Sequence, residues 1–244
     1  MLKDRKITTD KVYLGDSKQY VAQFPDDSID MIVVDSPLGL YNYGAVRFSR
    51  MPDGSDVEKT EEFEGTILPN WLTDCYRILK PNRVMLAHFP SSQIYTYENY
   101  EKTMDNSIRQ ARFNFVDRIF LCEYPFIEKK ESFNKETVLN NHGFIKVFSK
   151  GDPIYFTDKR LLVDFSEAPG LSQRSIELYK KLILQYTSKR MVILEPFAGS
   201  ACLGEATIAL DRQYVGMEMM PKIFAEAFRR ILKAKKLKDD YAKN

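Results

Sequence analysis

At 244 residues, with 44% hydrophobic and 29% charged side chains, the chain is long enough to bury one substantial core and too balanced to be disordered or fibrous. Its net charge of +2 excludes a global basic field, so any nucleic-acid contact has to come from local patches. Cys75, Cys122 and Cys202 are scattered and only two histidines are present, which points to reduced thiols in a cytoplasmic protein and away from a metal site. No apolar run reaches the ~20 residues that cross a bilayer, and the opening MLKDRKITTDK has no apolar signal-peptide core, so no membrane role is expected.

Val12-Tyr13-Leu14 reads as a short strand ending at Gly15-Asp16, and residues 17–24 as a short helical turn. Met31 to Val34 is an unbroken apolar run of strand length, the pattern of a strand covered on both faces. Residues 44–66 are polar, hold Gly44, Gly54 and Gly65, and are rich in acids; they read as a mobile surface loop, with an acidic insert of no role as the alternative. From Asn70 to Leu79 the residues Trp71, Leu72, Cys75, Ile78 and Leu79 recur at helical spacing; Lys80-Pro81-Asn82 stops that helix, and Val84 to Ala87 is the next strand. Residues 93–111 predict a polar helix, 115–122 a strand, Ile145 to Phe148 another strand, and 172–188 an amphipathic helix. A basic amphipathic helix over 221–237 closes the series. Strands alternating with helices predict an α/β fold, a mostly parallel twisted sheet with helices on both faces, in a single domain spanning 1–244.

The most informative stretch is 191–219, MVILEPFAGSACLGEATIALDRQYVGMEM. An apolar run meets Glu195-Pro196, a small-residue turn follows at Gly199-Ser200-Ala201, then a helical pattern, then a second apolar run ending at Glu218. Strand, turn, helix and strand with a terminal acid is the layout by which α/β proteins seat a nucleoside cofactor, Glu218 being placed to accept ribose hydroxyls. The turn is poor in glycine, which suits a sulfonium cofactor better than a pyrophosphate. A second stretch runs from Tyr13-Leu14-Gly15-Asp16 to Met31-Ile32-Val33-Val34-Asp35-Ser36-Pro37-Leu38. Asp35 ends a buried strand, where doubly wound sheets place ligand-contacting groups.

Together these stretches resemble the DNA amino-methyltransferases of the beta arrangement, in which the catalytic Asp/Asn/Ser-Pro-Pro-aromatic motif precedes the Phe-x-Gly-x-Gly cofactor turn. Asp35-Ser36-Pro37-Leu38 stands at the first position and Phe197-Ala198-Gly199-Ser200-Ala201 at the second. Residues 71–82 and 142–151 match the family as well, so the resemblance covers most of the chain. It implies a Rossmann-like methyltransferase fold, with the catalytic motif in a half spanning about 1–151 and the cofactor turn in a half spanning about 172–244. It also implies an enzyme that transfers a methyl group from S-adenosylmethionine to an exocyclic amine of a flipped DNA base. Adenine N6 is expected ahead of cytosine N4 because Asp35 opens the motif.

The same resemblance assigns Asp35, Ser36, Pro37 and Leu38 to catalysis and Asp16, Asp35, Glu195, Phe197, Gly199, Ser200 and Glu218 to the cofactor. Three departures accompany it: Ser36 for the first proline, Leu38 for the aromatic on which the base stacks, and Ala201 for the last glycine, the last adding a Cβ beside the ligand path. They define the alternative, a catalytically inactive methyltransferase-like subunit that binds DNA or a partner. The interval 151–171, where the family carries a target-recognition segment, is short, so DNA would be read through the 44–66 and 93–140 regions, with a partner (a second methyltransferase or recognition subunit, or a homodimer), or with little specificity. Local cations for DNA are Lys129, Lys130, Lys135, Arg174, Arg229, Arg230, Lys233, Lys235, Lys236 and Lys238, with a solvated helix face as the alternative for 229–238.

Overall fold

A computed structural model describes residues 7–34, 68–89, 105–120, 122–123, 144–157, 164–165 and 176–241. Its strands are β1 (Lys11–Leu14), β2 (Ile29–Val34), β3 (Leu79–Phe89), β4 (Asn114–Phe120), β5 (Cys122–Glu123), β6 (Phe144–Ser149), β7 (Asp164–Phe165), β8 (Val192–Glu195) and β9 (Gln213–Glu218). The helices are α1 (Ser17–Val21), α2 (Leu68–Ile78), α3 (Ile176–Tyr186), α4 (Cys202–Ala209) and α5 (Pro221–Tyr241), with a further helical stretch at 105–110.

Seven strands form one sheet in the order β1-β9-β8-β2-β3-β6-β4, while β5 and β7 pair separately. β1, β9, β8, β2 and β3 are mutually parallel, and β6 runs antiparallel between β3 and β4. The expected mostly parallel sheet is therefore present. Helices cover both faces, and the alternation along β2 shows how. Ile32 and Val34 pack with Trp71, Leu72 and Cys75 of α2, whereas Met31 and Val33 pack with Leu178, Leu182 and Leu203 of α3 and α4. A strand apolar at every position is the form a sheet needs when neither face meets water. The α4 helix is mostly buried for a similar reason, since it lies between α3 and α5 as well as against the sheet, with Glu205 as its one charged residue.

Two boundaries differ from expectation. Lys80-Pro81-Asn82 predicts only a break between α2 and a strand at Val84, but β3 begins at Leu79. Between the pairs Ile29↔Leu79 and Met31↔Val84 the longer strand bulges, with Asn82 at φ 61 and its N–H donating to the Lys150 carbonyl at 2.6 Å. A bulge absorbs Pro81, which has no N–H for a regular ladder. The last helix continues to Tyr241, past the expected stop at 237.

Chain order reverses direction at the centre of the sheet. From β8 the chain moves through α4 to β9, on one side; from β2 it moves through α2 to β3, on the other. The carboxyl ends of β8 and β2 thus flank a topological switch point, where open α/β sheets form a ligand crevice.

Candidate functional site

Glu195-Pro196 leaves β8 at that switch point, and the residues after it fold into a tight turn pinned to β9. Ala198 N–H donates to the Met217 carbonyl and Ala201 N–H to the Ala198 carbonyl, both at 2.7 Å. Glu218 then closes the turn: its Oε2 accepts the Gly199 N–H at 2.9 Å and its Oε1 accepts the Met220 N–H at 2.8 Å. The Gly15 N–H reaches the Glu218 carbonyl at 2.9 Å, which ties the end of β1 to the same point. Asp16, next in line, caps α1 by accepting the Lys18 N–H at 3.0 Å. Asp16, Phe197, Gly199, Ser200 and Glu218 therefore follow or end β1, β8 and β9 at the carboxyl end of the sheet.

Gly199 shows that this end can admit a ligand. Its φ of 51 is in the left-handed region, and a Cβ built there meets no atom of the described residues within 4 Å. Open space beside the turn backbone and a partly exposed carboxylate fits a nucleoside with vicinal hydroxyls. Phe197, half-buried, lies against Trp71 of α2 with ring centroids 5.4 Å apart. Ser200 Oγ sits 3.3 Å from Cys202 Sγ at the start of α4.

Two turn residues are placed differently from expectation. Glu195, expected at the cofactor, is 2% exposed and turns its carboxylate to the helix face of α4 and α5, where its Oε2 accepts the Tyr214 hydroxyl at 2.5 Å. Strand alternation explains this: Leu194 packs on the α2 face, so Glu195 points to the opposite one. Burial first, and then the charge of Glu195, push the Tyr214 hydroxyl well above the usual phenol range. The ring lies in a slot with no room for side chains on two neighbours. A Cβ on Gly204 would come 2.7 Å from it, and one on Gly216 would strike its hydroxyl.

Ala201 is the second. Its φ of 60 and ψ of 39 are left-handed, a conformation that costs an L-residue about 1–2 kcal/mol. The expected Cβ beside the ligand path is corrected, however, because Ala201 is 0% exposed and packs among Ala198, Ile208 and Tyr214. The departure from glycine strains the backbone without narrowing the open side of the turn.

Asp35, Ser36, Pro37 and Leu38 lie outside the described residues, as do the 44–66 loop, the Lys129, Lys130 and Lys135 patch, and Arg174. What is described is the strand that feeds the motif. β2 ends at Val34, opposite Ala87 of β3, and its residues Met31 and Ile32 pair with Ile193 and Leu194 of β8. Of the α5 cations, Arg230 pairs with Glu205 at 2.9 Å and Lys238 with Asp211 at 2.8 Å, so both are engaged by carboxylates of the chain itself. Among the described residues no group of three His, Cys, Asp or Glu could hold a metal, and no helix is long and apolar enough to cross a membrane. Periodicity marks Trp71 only as a helix core residue and does not single out Tyr214; the one available sign for the latter is a tyrosine two residues before a strand glycine.

The sheet order, the single antiparallel strand beside its edge and the turn at the switch point define a Rossmann-like methyltransferase fold. Comparison with known proteins agrees. The family model described as DNA methylase, for N6 and N4 methyltransferases, matches residues 171–229. The type II methyltransferase M2.MboI of Moraxella bovis is 25% identical over 227 residues, covering 85% of this chain and 82% of its own. Among solved structures, the cytosine-N4-specific PvuII DNA methyltransferase superposes with a TM-score of 0.64 at 15% identity, over 96% of this chain and 93% of that one. The M1.HpyAVI–SAM complex gives 0.59 at 17% identity, over 90% and 98%. The two superpositions establish the fold, and the resemblance to the beta-arrangement amino-methyltransferases stands over most of the chain.

Proposed function

We propose that this chain is an S-adenosylmethionine-dependent DNA amino-methyltransferase, acting on a flipped base at adenine N6 in preference to cytosine N4. The observation that carries the reading is adjacency. β2, which runs into Asp35-Ser36-Pro37-Leu38, is hydrogen-bonded to β8, which runs into the cofactor turn, so a methyl donor and an acceptor amine held at those two strand ends would meet. The methionine sulfonium, when bound, supplies an electrophilic methyl group. Glu218 would accept hydrogen bonds from the ribose hydroxyls, the open Gly199 backbone would let the nucleoside approach, and Asp16 would hold the adenosine end. Phe197 and Ser200 line the turn. Glu195 acts from below, holding the turn through Tyr214 rather than touching the ligand.

On the acceptor side, Asp35 and the Ser36 carbonyl accept hydrogen bonds from the exocyclic amine. No proton is removed beforehand; the bonds orient the nitrogen lone pair toward the methyl group, and positioning supplies much of the rate. Pro37 frames the motif and Leu38 offers an apolar surface to the base. Asp35 as the first motif residue favours adenine. DNA is the substrate partner, and a second subunit or second copy supplies target readout that the short 151–171 interval lacks.

Incubation with radiolabelled S-adenosylmethionine and unmodified DNA, followed by digestion to nucleosides, tests the reading. Label in N6-methyladenine is expected; label in N4-methylcytosine would reverse the base assignment. No label from a folded protein would favour the inactive subunit, a reading supported by Leu38, since losing a base–aromatic stack costs about 1–3 kcal/mol. Ala201 does not argue for it, because its Cβ lies in the core.

A further inference from the structure

Trp71 is the chain's single tryptophan. It is 4% exposed, yet its indole Nε1 is buried without a hydrogen-bond partner among the described residues. A buried donor left unmet is costly, and native folds satisfy nearly all of them with protein, water or ligand. The position of this one is specific. Trp71 projects from the first part of α2 onto Phe197, the residue with which the cofactor turn begins to close.

We infer that the Trp71 indole N–H is a cofactor-binding donor whose acceptor is the carboxylate of the methionine tail. The inference rests on the S-adenosylmethionine reading above and adds a residue to it. Glu218 closes the turn from β9, on one side of β8, whereas Trp71 reaches Phe197 from the helix that joins β2 to β3, on the other side. With the ribose held at Glu218, an amino-acid tail directed toward the β2 side would pass Phe197 and Trp71. Of the groups on that tail, the ammonium and the sulfonium offer no acceptor; the carboxylate alone does. An N–H to carboxylate bond is charge-assisted and stronger than a neutral one. Among the described residues the surroundings are apolar, since Trp71 packs in one cluster with Leu72, Ile32, Val34 and Phe197, so its N–H is the polar group they offer the tail.

The test compares S-adenosylmethionine with its decarboxylated analogue, which keeps the sulfonium and ammonium and lacks only the carboxylate. Calorimetry on the wild-type chain and on Trp71→Phe should show about a tenfold loss of S-adenosylmethionine affinity in the variant and no change for the analogue. The intrinsic fluorescence of the wild type gives a second readout free of any variant. Because one indole carries all the tryptophan emission, S-adenosylmethionine should shift it and the decarboxylated analogue should not. Equal losses for both ligands, or equal emission changes, would make Trp71 a packing residue and overturn the inference while leaving the cofactor reading intact. Failure of the wild type to bind S-adenosylmethionine at all would overturn both.

Discussion

Replacing Tyr214 by Phe removes one oxygen from the centre of the fold, and its effect can be worked out in two parts. The hydroxyl donates to Glu195 Oε2, with both residues at most 2% exposed. A hydrogen bond to a charged group contributes about 1.5–3 kcal/mol, so the variant should lose that much near pH 8. For a chain of this size that corresponds to a melting temperature lower by about 3–12 °C. The second part is a pH dependence of opposite sense. The folded Tyr214 hydroxyl titrates well above the usual phenol range, so above about pH 10 the unfolded chain gives up that proton while the folded chain keeps it. The unfolded state then binds fewer protons, and folding stability must fall as pH rises, by about 1.4 kcal/mol per unit for this group. Phenylalanine has no such proton. The gap between wild type and variant should therefore narrow by about 1 kcal/mol as pH climbs from 10 to 11. Urea denaturation of both proteins at pH 8, 10, 10.5 and 11 measures it. Equal stability at pH 8, or a gap that stays constant through pH 11, would refute the reasoning. Buried Tyr186 and Cys75 are also pushed upward, chiefly by desolvation, but they lower both proteins alike and cancel in the comparison.

Other outcomes are expected from the same geometry. Gly204→Ala places a Cβ 2.5 Å from Ile231 Cδ1 and 2.7 Å from the Tyr214 ring, and should cost about 1–3 kcal/mol in urea denaturation; an unchanged midpoint would mean the slot is loose. Asp35→Ala should abolish methyl transfer and leave S-adenosylmethionine affinity, measured by calorimetry, nearly unchanged, whereas equal loss of both would remove the role given to Asp35. Leu38→Tyr should restore a stacking surface for the base and lower the KM for DNA about tenfold, in keeping with about 1–3 kcal/mol per stacked base; no change in steady-state kinetics would mean that the base lies elsewhere.

Much of the architecture is legible in the amino-acid sequence, because it depends on local rules. The unbroken apolar run at Met31 to Val34 demands cover on both faces, the spacing of Trp71, Leu72, Cys75 and Ile78 demands a helix with one buried stripe, and both form as expected. The strand–turn–helix–strand of 191–218 is likewise contiguous, so its turn and its terminal acid follow from spacing, and the bond from Gly199 to Glu218 spans only that unit.

Direction and neighbourhood are what the chain alone does not decide. Whether Glu195 faces ligand or core depends on which side of β8 its parity selects, and that is settled when Tyr214, held in a slot made by Gly204 and Gly216, supplies a buried donor. The side to which Ala201 turns its Cβ follows from a left-handed φ that composition does not reveal. Trp71 becomes more than a core residue only when α2 is laid beside Phe197, far along the chain. Above all, β2 and β8 are separated by most of the sequence and become neighbours only through the sheet order. Periodicity is a property of a segment, whereas a site made from two strand ends exists only once distant strands have paired.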